Sequence, residues 1–166
     1  KNIVDIPGPF YIRLARPSSE ILYEENGSDF KIGKGNILRE GSDMTIISCG
    51  LMVYKSLQAA DNLKKNGISC RVIDCYSIKP IDRDLVIAAA KETGYIITIE
   101  EHNYIGGLGS AVTEICSEEY PCYVKRLGIK DIFGESARDS ELNLLLEKHG
   151  LTEKEIERHV LSTLYR

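Results

Sequence analysis

A glycine-rich loop near the middle of the chain has the composition of a candidate binding site. The apolar run Tyr95–Ile99 before it predicts a β-strand, and the apolar residues after it recur at helical spacing. The loop glycines are Gly106, Gly107 and Gly109. In open parallel sheets, ligands and partner domains dock where strands end, and a helix start offers N–H groups to an anion. The simpler interpretation, which the spacing alone favours, is a tight connection that needs small residues.

A predicted polar turn, with two acids and a histidine, stands between that strand and the glycines. Glu100 and Glu101 are adjacent, so in an extended segment their side chains point to opposite sides. They therefore do not form a carboxylate pair of the kind that cleaves glycosides. His102 could act as an acid or a base, but bracing the loop is its simpler role. Glu101, His102 and the three glycines are the candidate residues of this sheet edge.

The loop matches neither of the common phosphate-binding motifs. No Gly-Lys-Ser/Thr follows it, so it is not a Walker loop. Its glycines are spaced GGxG, whereas the dinucleotide-binding fingerprint is GxGxxG.

Composition excludes several other classes of protein. The chain has 166 residues, of which 43% are hydrophobic and 28% are charged, so it can form a core. Its net charge of −4 argues against nucleic acid or an anionic membrane as a partner. No apolar run approaches the roughly 20 residues of a membrane span. The sequence starts at Lys1 with neither a signal-peptide pattern nor an initiator Met, so we expect a cytoplasmic protein that is a piece of something longer.

The cysteines indicate neither disulfides nor a metal site. They are Cys49, Cys70, Cys75, Cys116 and Cys122. Their number is odd, no CxxC pair occurs, and most lie in apolar runs, so we expect buried and reduced thiols. No spacing connects a thiol to a histidine for nucleophilic catalysis.

From Met44 onward, strand and helix patterns alternate. Four short apolar runs predict strands: Met44–Cys49, Cys70–Asp74, Tyr95–Ile99 and Cys122–Leu127. A helix follows each of the first three strands, the second of them capped by Asp82 and ended by Gly94. Two helices close the chain: Asp139–His149, and one that begins with a capping box of Thr152 and Glu155. The order predicts an α/β fold, a three-layer α/β/α Rossmann-like architecture with a mainly parallel sheet.

The first part of the chain has a different pattern. Phe10–Ala15 predicts a strand that Arg16-Pro17 ends, and the polar stretch Ser18–Asp29 predicts a linker. Phe30–Asp43 predicts short antiparallel strands or a hairpin that leads into the main domain. We therefore expect residues 1–28 and residues 29–166 to belong to different units.

Five stretches carry a resemblance to a known family. They are Gly41–Gly50 (GSDMTIISCG), Ile78–Asp82, Thr98–His102 with Gly106–Gly109, Phe133–Ser136, and Leu146–Thr152. In this order they resemble the C-terminal domain of transketolase-like thiamine diphosphate enzymes, most of all the C-terminal half of split transketolases. The sequence departs from the family at Ala137–Ser140, where a Gly-Thr-Pro-like helix entry is expected.

The resemblance implies a function for the intact protein. Such an enzyme transfers a two-carbon ketol unit between phosphosugars, with thiamine diphosphate and Mg²⁺ as cofactors. Residues 1–28 would be the end of the pyrimidine-binding domain plus a linker, and residues 29–166 the C-terminal domain. The partners would be the remaining domains or subunit, in a homodimer or a heterotetramer.

The resemblance also assigns a role to Arg16. An arginine just after the last strand of the pyrimidine-binding domain reaches the substrate phosphate in this family, and Arg16 has the matching position. A guanidinium group binds phosphate oxygens in a bidentate way. The alternative is that Arg16 pairs with a nearby carboxylate. For Arg13, within the predicted strand, we expect a structural pair.

The family's reaction centre is missing from this sequence. The glutamate that activates the cofactor belongs upstream of Phe10, and the Gly-Asp-Gly motif that precedes the metal-binding asparagine does not occur. We therefore expect no catalytic residue, no bound cofactor and no activity in this chain alone, and a role in assembly and substrate-side bracing.

Two alternatives remain open. The domain could come from a 1-deoxyxylulose-5-phosphate synthase or a 2-oxo acid dehydrogenase beta subunit. It could also be a free-standing Rossmann-like module that binds an anion or nucleotide at the Gly106–Gly109 loop.

Overall fold

Five strands form one sheet in the computed structural model, which describes residues 3–24, 30–135 and 138–165. The strands are β1 (Asn36–Arg39), β2 (Met44–Ser48), β3 (Cys70–Asp74), β4 (Tyr95–Asn103) and β5 (Tyr123–Ile129). Their order across the sheet is β1-β3-β2-β4-β5. All neighbours are parallel except β1, which runs antiparallel to β3.

Helices cover both faces of this sheet. They are α1 (Met52–Lys65), α2 (Arg83–Thr93), α3 (Leu108–Glu119), α4 (Leu142–Lys148) and α5 (Glu153–Leu164), with a 3-10 turn at Asp139–Glu141. On β2, Ile46 lies in a core shared with α1, α4 and α5, whereas Ile47 lies in a core shared with α2 and α3. Because successive side chains of a strand point to opposite faces, β2 is buried on both sides. The predicted three-layer, mainly parallel fold is confirmed.

The helix ends follow the local sequence. The Asp82 side chain accepts a hydrogen bond from the backbone N–H of Leu85, and Gly94 ends α2 in the left-handed conformation. The Thr152 side chain accepts one from the backbone N–H of Glu155. The Glu155 carboxylate accepts from Arg158. The predicted caps at Asp82, Gly94 and Thr152 are confirmed, because each depends on residues close in sequence. The reciprocal half of the predicted capping box, a bond from the backbone N–H of Thr152 to the Glu155 carboxylate, is not confirmed, since that carboxylate is engaged by Arg158.

Of the two alternatives for the segment before β2, the short antiparallel strand is confirmed and the hairpin is wrong, since β1 pairs antiparallel with β3 instead of β2. Two predictions about element boundaries are wrong in detail. The predicted helix Asp139–His149 is a 3-10 turn followed by α4, a common way for a helix to begin. Strand β4 continues to Asn103, four residues beyond the apolar run, because β5 pairs with it as far as Asn103.

The predicted strand Phe10–Ala15 is also absent. Residues 10–15 have no strand hydrogen bonding, and Tyr11 and Leu14 are 91% and 83% exposed. A strand needs a neighbour to pair with, and the described part of the chain supplies none for this segment. The division at residues 28 and 29 stays a prediction, because that boundary lies outside the described residues. Ser136 and Ala137, which end one family motif and begin the departure from it, lie outside them too.

Candidate functional site

The carboxyl ends of β2, β3 and β4 meet at one edge of the sheet. In the parallel register, Ser48 at the end of β2 lies beside Asp74 on β3 and Ile99 on β4. Asp74 is therefore two strands away from Glu100, which follows Ile99. This edge is where ligands bind in open α/β sheets, so its side chains decide what the domain could hold.

Glu100 caps helix α3 and is 2% exposed. Its two carboxylate oxygens accept hydrogen bonds, both 2.9 Å long, from the backbone N–H groups of Leu108 and Gly109. A negative charge at a helix N-terminus is stabilised by the unpaired N–H groups there. An anionic ligand would have to displace this carboxylate to reach the same two donors. Sequence reasoning missed this role, because it placed Glu100 in a polar turn instead of in β4.

The glycines of the loop meet two different structural demands. Gly106 has a φ of 75°, in the left-handed region that favours glycine. At Gly107, a β-carbon would lie 2.0 Å from Oε2 of Glu100. At Gly109, it would lie 2.7 Å from Oγ1 of Thr98. The latter two glycines therefore let the loop approach β4, which agrees with the interpretation of the loop as a tight connection.

Arg126 on β5 also contacts the residues that flank the glycine-rich loop. Its Nη1 donates to the hydroxyl of Ser110 at 3.1 Å and its guanidinium lies 5.1 Å from the ring centre of Tyr104. The Ser110 hydroxyl in turn accepts from the backbone N–H of Gly106 at 2.9 Å. The loop is thus held by β4 and β5 together. No spacing in the sequence connects Arg126 with the loop, so this brace could not be predicted.

Glu101 and His102 take no part in the α3 cap and have other contacts. The guanidinium of Arg13 donates to the backbone carbonyl of Glu101 at 3.0 Å and lies 3.9 Å from its carboxylate. This is a structural pair of the kind expected for Arg13. His102 is exposed, and its Nδ1 lies 3.3 Å from the backbone carbonyl of Asn103. Glu100 and Glu101 thus contact different partners, because adjacent side chains of an extended segment point to opposite sides.

Asp74 forms a second buried polar contact at the same edge. The hydroxyl of Tyr23 donates to its carboxylate at 2.6 Å, and Asp74 is 6% exposed. Burial raises the pKa of Asp74, while the hydrogen bond from Tyr23 opposes this shift. Burial and the contact with Asp74 raise the pKa of the Tyr23 hydroxyl, which keeps it a donor. Asp74 could be placed at this edge from the sequence, but no signal marked Tyr23, which is 51 residues away.

The five cysteines are all free thiols, and Cys70, Cys75 and Cys116 are buried. Of the five, Cys49 and Cys75 lie at the ends of β2 and β3. Burial, and to a smaller degree the nearby carboxylates, raises the pKa of Cys49 to about 12. A thiol with so high a pKa is a poor nucleophile at neutral pH.

Arg16 is exposed, in a bend of the segment between Arg13 and Tyr23. Its phosphate-binding role stays a prediction.

The described residues offer no cluster of metal ligands at this edge. Within residues 3–24, 30–135 and 138–165, no group of three or more His, Cys, Asp or Glu side chains could hold a metal ion. The carboxylates of Glu100 and Asp74 are already engaged by the backbone of α3 and by Tyr23.

In the same described ranges, no helix combines the length and apolar character needed to cross a membrane.

Comparison with known proteins points to one family. The model of the transketolase C-terminal domain family matches residues 33–156. A 6-deoxy-6-sulfo-D-fructose transketolase subunit of Clostridium sp. is 42% identical over 91% of this chain and 46% of its own length. A 1-deoxy-D-xylulose-5-phosphate synthase of Heliobacterium modesticaldum is 37% identical over 95% of this chain and 24% of its own length.

A solved structure gives the same result. A split-gene transketolase, described as an inactive β4 tetramer, superposes with a TM-score of 0.88 at 45% identity. The superposition covers 97% of this chain and 51% of the other. The chain spans about half the length of the transketolase relatives that it matches. The family match and these similarities together show that the chain belongs to the transketolase C-terminal domain family.

Proposed function

We propose that this chain is the C-terminal portion of a transketolase. The intact enzyme would transfer a two-carbon ketol unit between phosphosugars, with thiamine diphosphate and Mg²⁺. The observation that carries the proposal is the similarity to the split-gene transketolase, which covers nearly all of this chain but only half of that one. The remaining domains, or a second subunit, would hold the cofactor.

Within that enzyme the chain would serve as a docking and bracing domain. The carboxyl edge of its sheet has its buried carboxylates engaged internally, at α3 and at Tyr23. Chemistry with thiamine diphosphate needs the cofactor's carbanion to be stabilised by groups of the protein. We infer that those groups are supplied by other parts of the enzyme, in a homodimer or a heterotetramer.

Arg16 is the residue through which this chain would contact substrate. Its exposure, three residues after Arg13, which contacts Glu101 at the carboxyl edge, supports a contact with the phosphate group of the sugar. A lost charge-assisted hydrogen bond costs roughly 1.5–3 kcal/mol, which is about a 10- to 150-fold loss in kcat/KM. The test is the variant Arg16→Ala in the intact enzyme, with Arg83→Ala as an exposed-arginine control.

We expect Arg16→Ala to raise the KM for phosphorylated sugars and to leave cofactor affinity near that of the parent. The control should behave like the parent. If Arg16→Ala keeps the parent's preference for a phosphorylated over an unphosphorylated ketose, Arg16 does not bind the phosphate.

A synthase of 1-deoxy-D-xylulose 5-phosphate is the second candidate, since one such enzyme is 37% identical over 95% of this chain. The two functions differ in product. Formation of 1-deoxy-D-xylulose 5-phosphate by the intact enzyme, without ketol transfer between phosphosugars, would favour the synthase.

A further inference from the structure

We propose that three apolar side chains, on the loops that follow β4 and β5, form a docking surface for the upstream domain of the same polypeptide. They are Ile105, Ile132 and Phe133, and they are called the loop patch below. The inference rests on the proposed function, in which residues 10–15 would belong to that upstream domain. The loop patch would hold the two domains together and would not touch substrate.

The side chains of the loop patch are exposed although they are apolar. Phe133 is 100% exposed, and Ile105 and Ile132 are 58% and 55% exposed. A single exposed apolar residue is common on protein surfaces, but a group of them marks a surface that another molecule or domain covers. Phe133 carries the aromatic ring of the group, so covering it contributes the most to docking.

Hydrogen bonds join the two loops that carry the loop patch. The side chain of Asn103 donates from Nδ2 to the Asp131 carboxylate at 3.2 Å, and its Oδ1 accepts from the backbone N–H of Ile105 at 2.9 Å. Ile105 lies two residues after Asn103, and Ile132 lies one residue after Asp131. Each is therefore within roughly 4–8 Å of chain from a residue of this junction. The loop patch is one surface on two joined loops.

The residues around the loop patch have the composition of an interface rim. Lys130, Asp131 and Glu135 are exposed charged residues next to it in the chain. An apolar centre with a polar, solvated rim is the usual anatomy of a surface that binds another protein domain. Because the rim carries both signs of charge, it does not favour a uniformly charged partner.

The path of the chain before the domain indicates what covers the loop patch. The guanidinium of Arg13 donates to the backbone carbonyl of Glu101, on β4, at 3.0 Å. Glu101 precedes Ile105 by four residues, and β5 is the neighbour of β4 in the sheet. The upstream chain therefore meets the domain at the same pair of strands whose loops carry the loop patch.

The segment around Arg13 is itself exposed and apolar. Tyr11, Ile12 and Leu14 are 91%, 61% and 83% exposed, and residues 10–15 have no strand hydrogen bonding. On the proposed function, the upstream domain would pair with this segment as its last strand. Such a domain would extend from Arg13 across the end of β4 and would cover the loop patch as well. One occupant thus accounts for both exposed apolar surfaces.

The size of a similar protein leaves room for that domain. The match to the split-gene transketolase covers 97% of this chain and 51% of the other protein. The unmatched half is thus about as long as the matched half, which is sufficient for a domain of ordinary size.

The first measurement tests whether the loop patch is covered in the intact enzyme. Ile105→Cys serves as the reporter, because it keeps Phe133 in place, and its reaction with a maleimide is quantified peptide by peptide. Ser117→Cys is the control, since Ser117 is exposed in the last turn of α3, which leads back to the opposite edge of the sheet. Labelling of the reporter should be at least about tenfold slower than labelling of the control, because it requires the interface to open.

A second substitution tests whether this protection comes from docking. Phe133→Asp puts a charge at the centre of the loop patch, and a fully exposed side chain can be replaced without harm to the core. It should raise labelling of Ile105→Cys towards that of the control. Tyr120→Asp makes the same change at a 40% exposed aromatic residue at the far end of α3, and should leave the labelling unchanged.

Sedimentation of the same variants distinguishes the upstream domain from a second copy of the chain. Because the upstream domain is part of the same polypeptide, Phe133→Asp should have the molecular mass of the parent. A lower mass for Phe133→Asp would mean that a second copy covers the loop patch, and would overturn the inference.

Two results of the labelling would also overturn it. Equal rates for Ile105→Cys and Ser117→Cys would show that the loop patch is uncovered. Protection that persists with Phe133→Asp would show that the cover does not depend on the loop patch.

Ketol transfer by the intact enzyme tests the proposed function separately. An enzyme that transfers a ketol unit while its loop patch is uncovered retains the proposed function and loses the docking surface. Protection that Phe133→Asp abolishes, in an enzyme without ketol transfer, overturns the proposed function and leaves the docking surface standing.

Discussion

Gly107 and Glu100 lie so close together that a β-carbon on Gly107 would be 2.0 Å from Oε2 of Glu100. The same carboxylate accepts both of its α3 hydrogen bonds from the two residues that follow Gly107. The glycine therefore makes room for the cap, and the cap holds the start of the helix. This relationship explains a glycine-rich loop at the sheet edge without any ligand.

The variant Gly107→Ala should be strongly destabilised. The φ of −92° at Gly107 is accessible to any residue, so the loss of stability comes from overpacking and not from backbone strain. Overpacking of this kind typically costs about 1–3 kcal/mol. Urea unfolding of the parent and of Gly107→Ala measures this loss of stability. Gly134→Ala is the matched control, since a β-carbon there meets nothing within 4 Å. Equal stability of the two variants would contradict the close approach.

The variant Glu100→Gln should also lower the free energy of unfolding. One of the two backbone N–H groups would face an amide NH₂ instead of an oxygen, and an unsatisfied buried donor costs about 1–3 kcal/mol. Glu114→Gln, an exposed site on the same helix, is the control and should change stability by less than about 0.5 kcal/mol. A parent-like urea midpoint for Glu100→Gln would show that the cap contributes nothing to stability.

His159 on α5 should make stability depend on pH. Burial, followed by the positive charges of Arg158 and Lys125, lowers its pKa below 6.5, while Glu155 opposes the shift. The unfolded chain then takes up the proton more readily than the folded one. This contribution to stability is present above about pH 6.5 and is lost as pH falls through the pKa of the folded state.

Comparison of the parent with His159→Gln tests this dependence. The difference in free energy of unfolding between the two proteins should change as pH falls from about 7.5 to about 5, with the parent losing more. Carboxylates that titrate in both proteins cancel in the difference. A difference that stays constant over this range would show that His159 is not perturbed in the fold.

Local features of the fold could be predicted from the sequence, and long-range ones could not. Asp82, Gly94 and Thr152 were identified as helix ends because a cap depends on residues within one turn. The apolar face of α3, from Leu108 to Cys116, was identified from its helical spacing, and its predicted members are buried.

The contacts that shape the candidate site join distant parts of the chain. Tyr23 and Asp74 are 51 residues apart, and Arg13 and Glu101 are 88 apart. Nothing in the local pattern of Tyr23 indicates its partner. The polar end of β4 was interpreted as a turn because its residues break the apolar pattern, whereas pairing with β5 extends the strand as far as Asn103.

The central claim is that this chain is one portion of a transketolase and lacks its reaction centre. The most direct measurement is calorimetric titration of the purified chain with thiamine diphosphate and Mg²⁺, beside the intact enzyme under the same conditions. We predict saturable binding by the intact enzyme only, and no turnover of xylulose 5-phosphate with an aldose acceptor by the chain alone. Saturable micromolar binding to the isolated chain, or measurable turnover by it, would contradict the account.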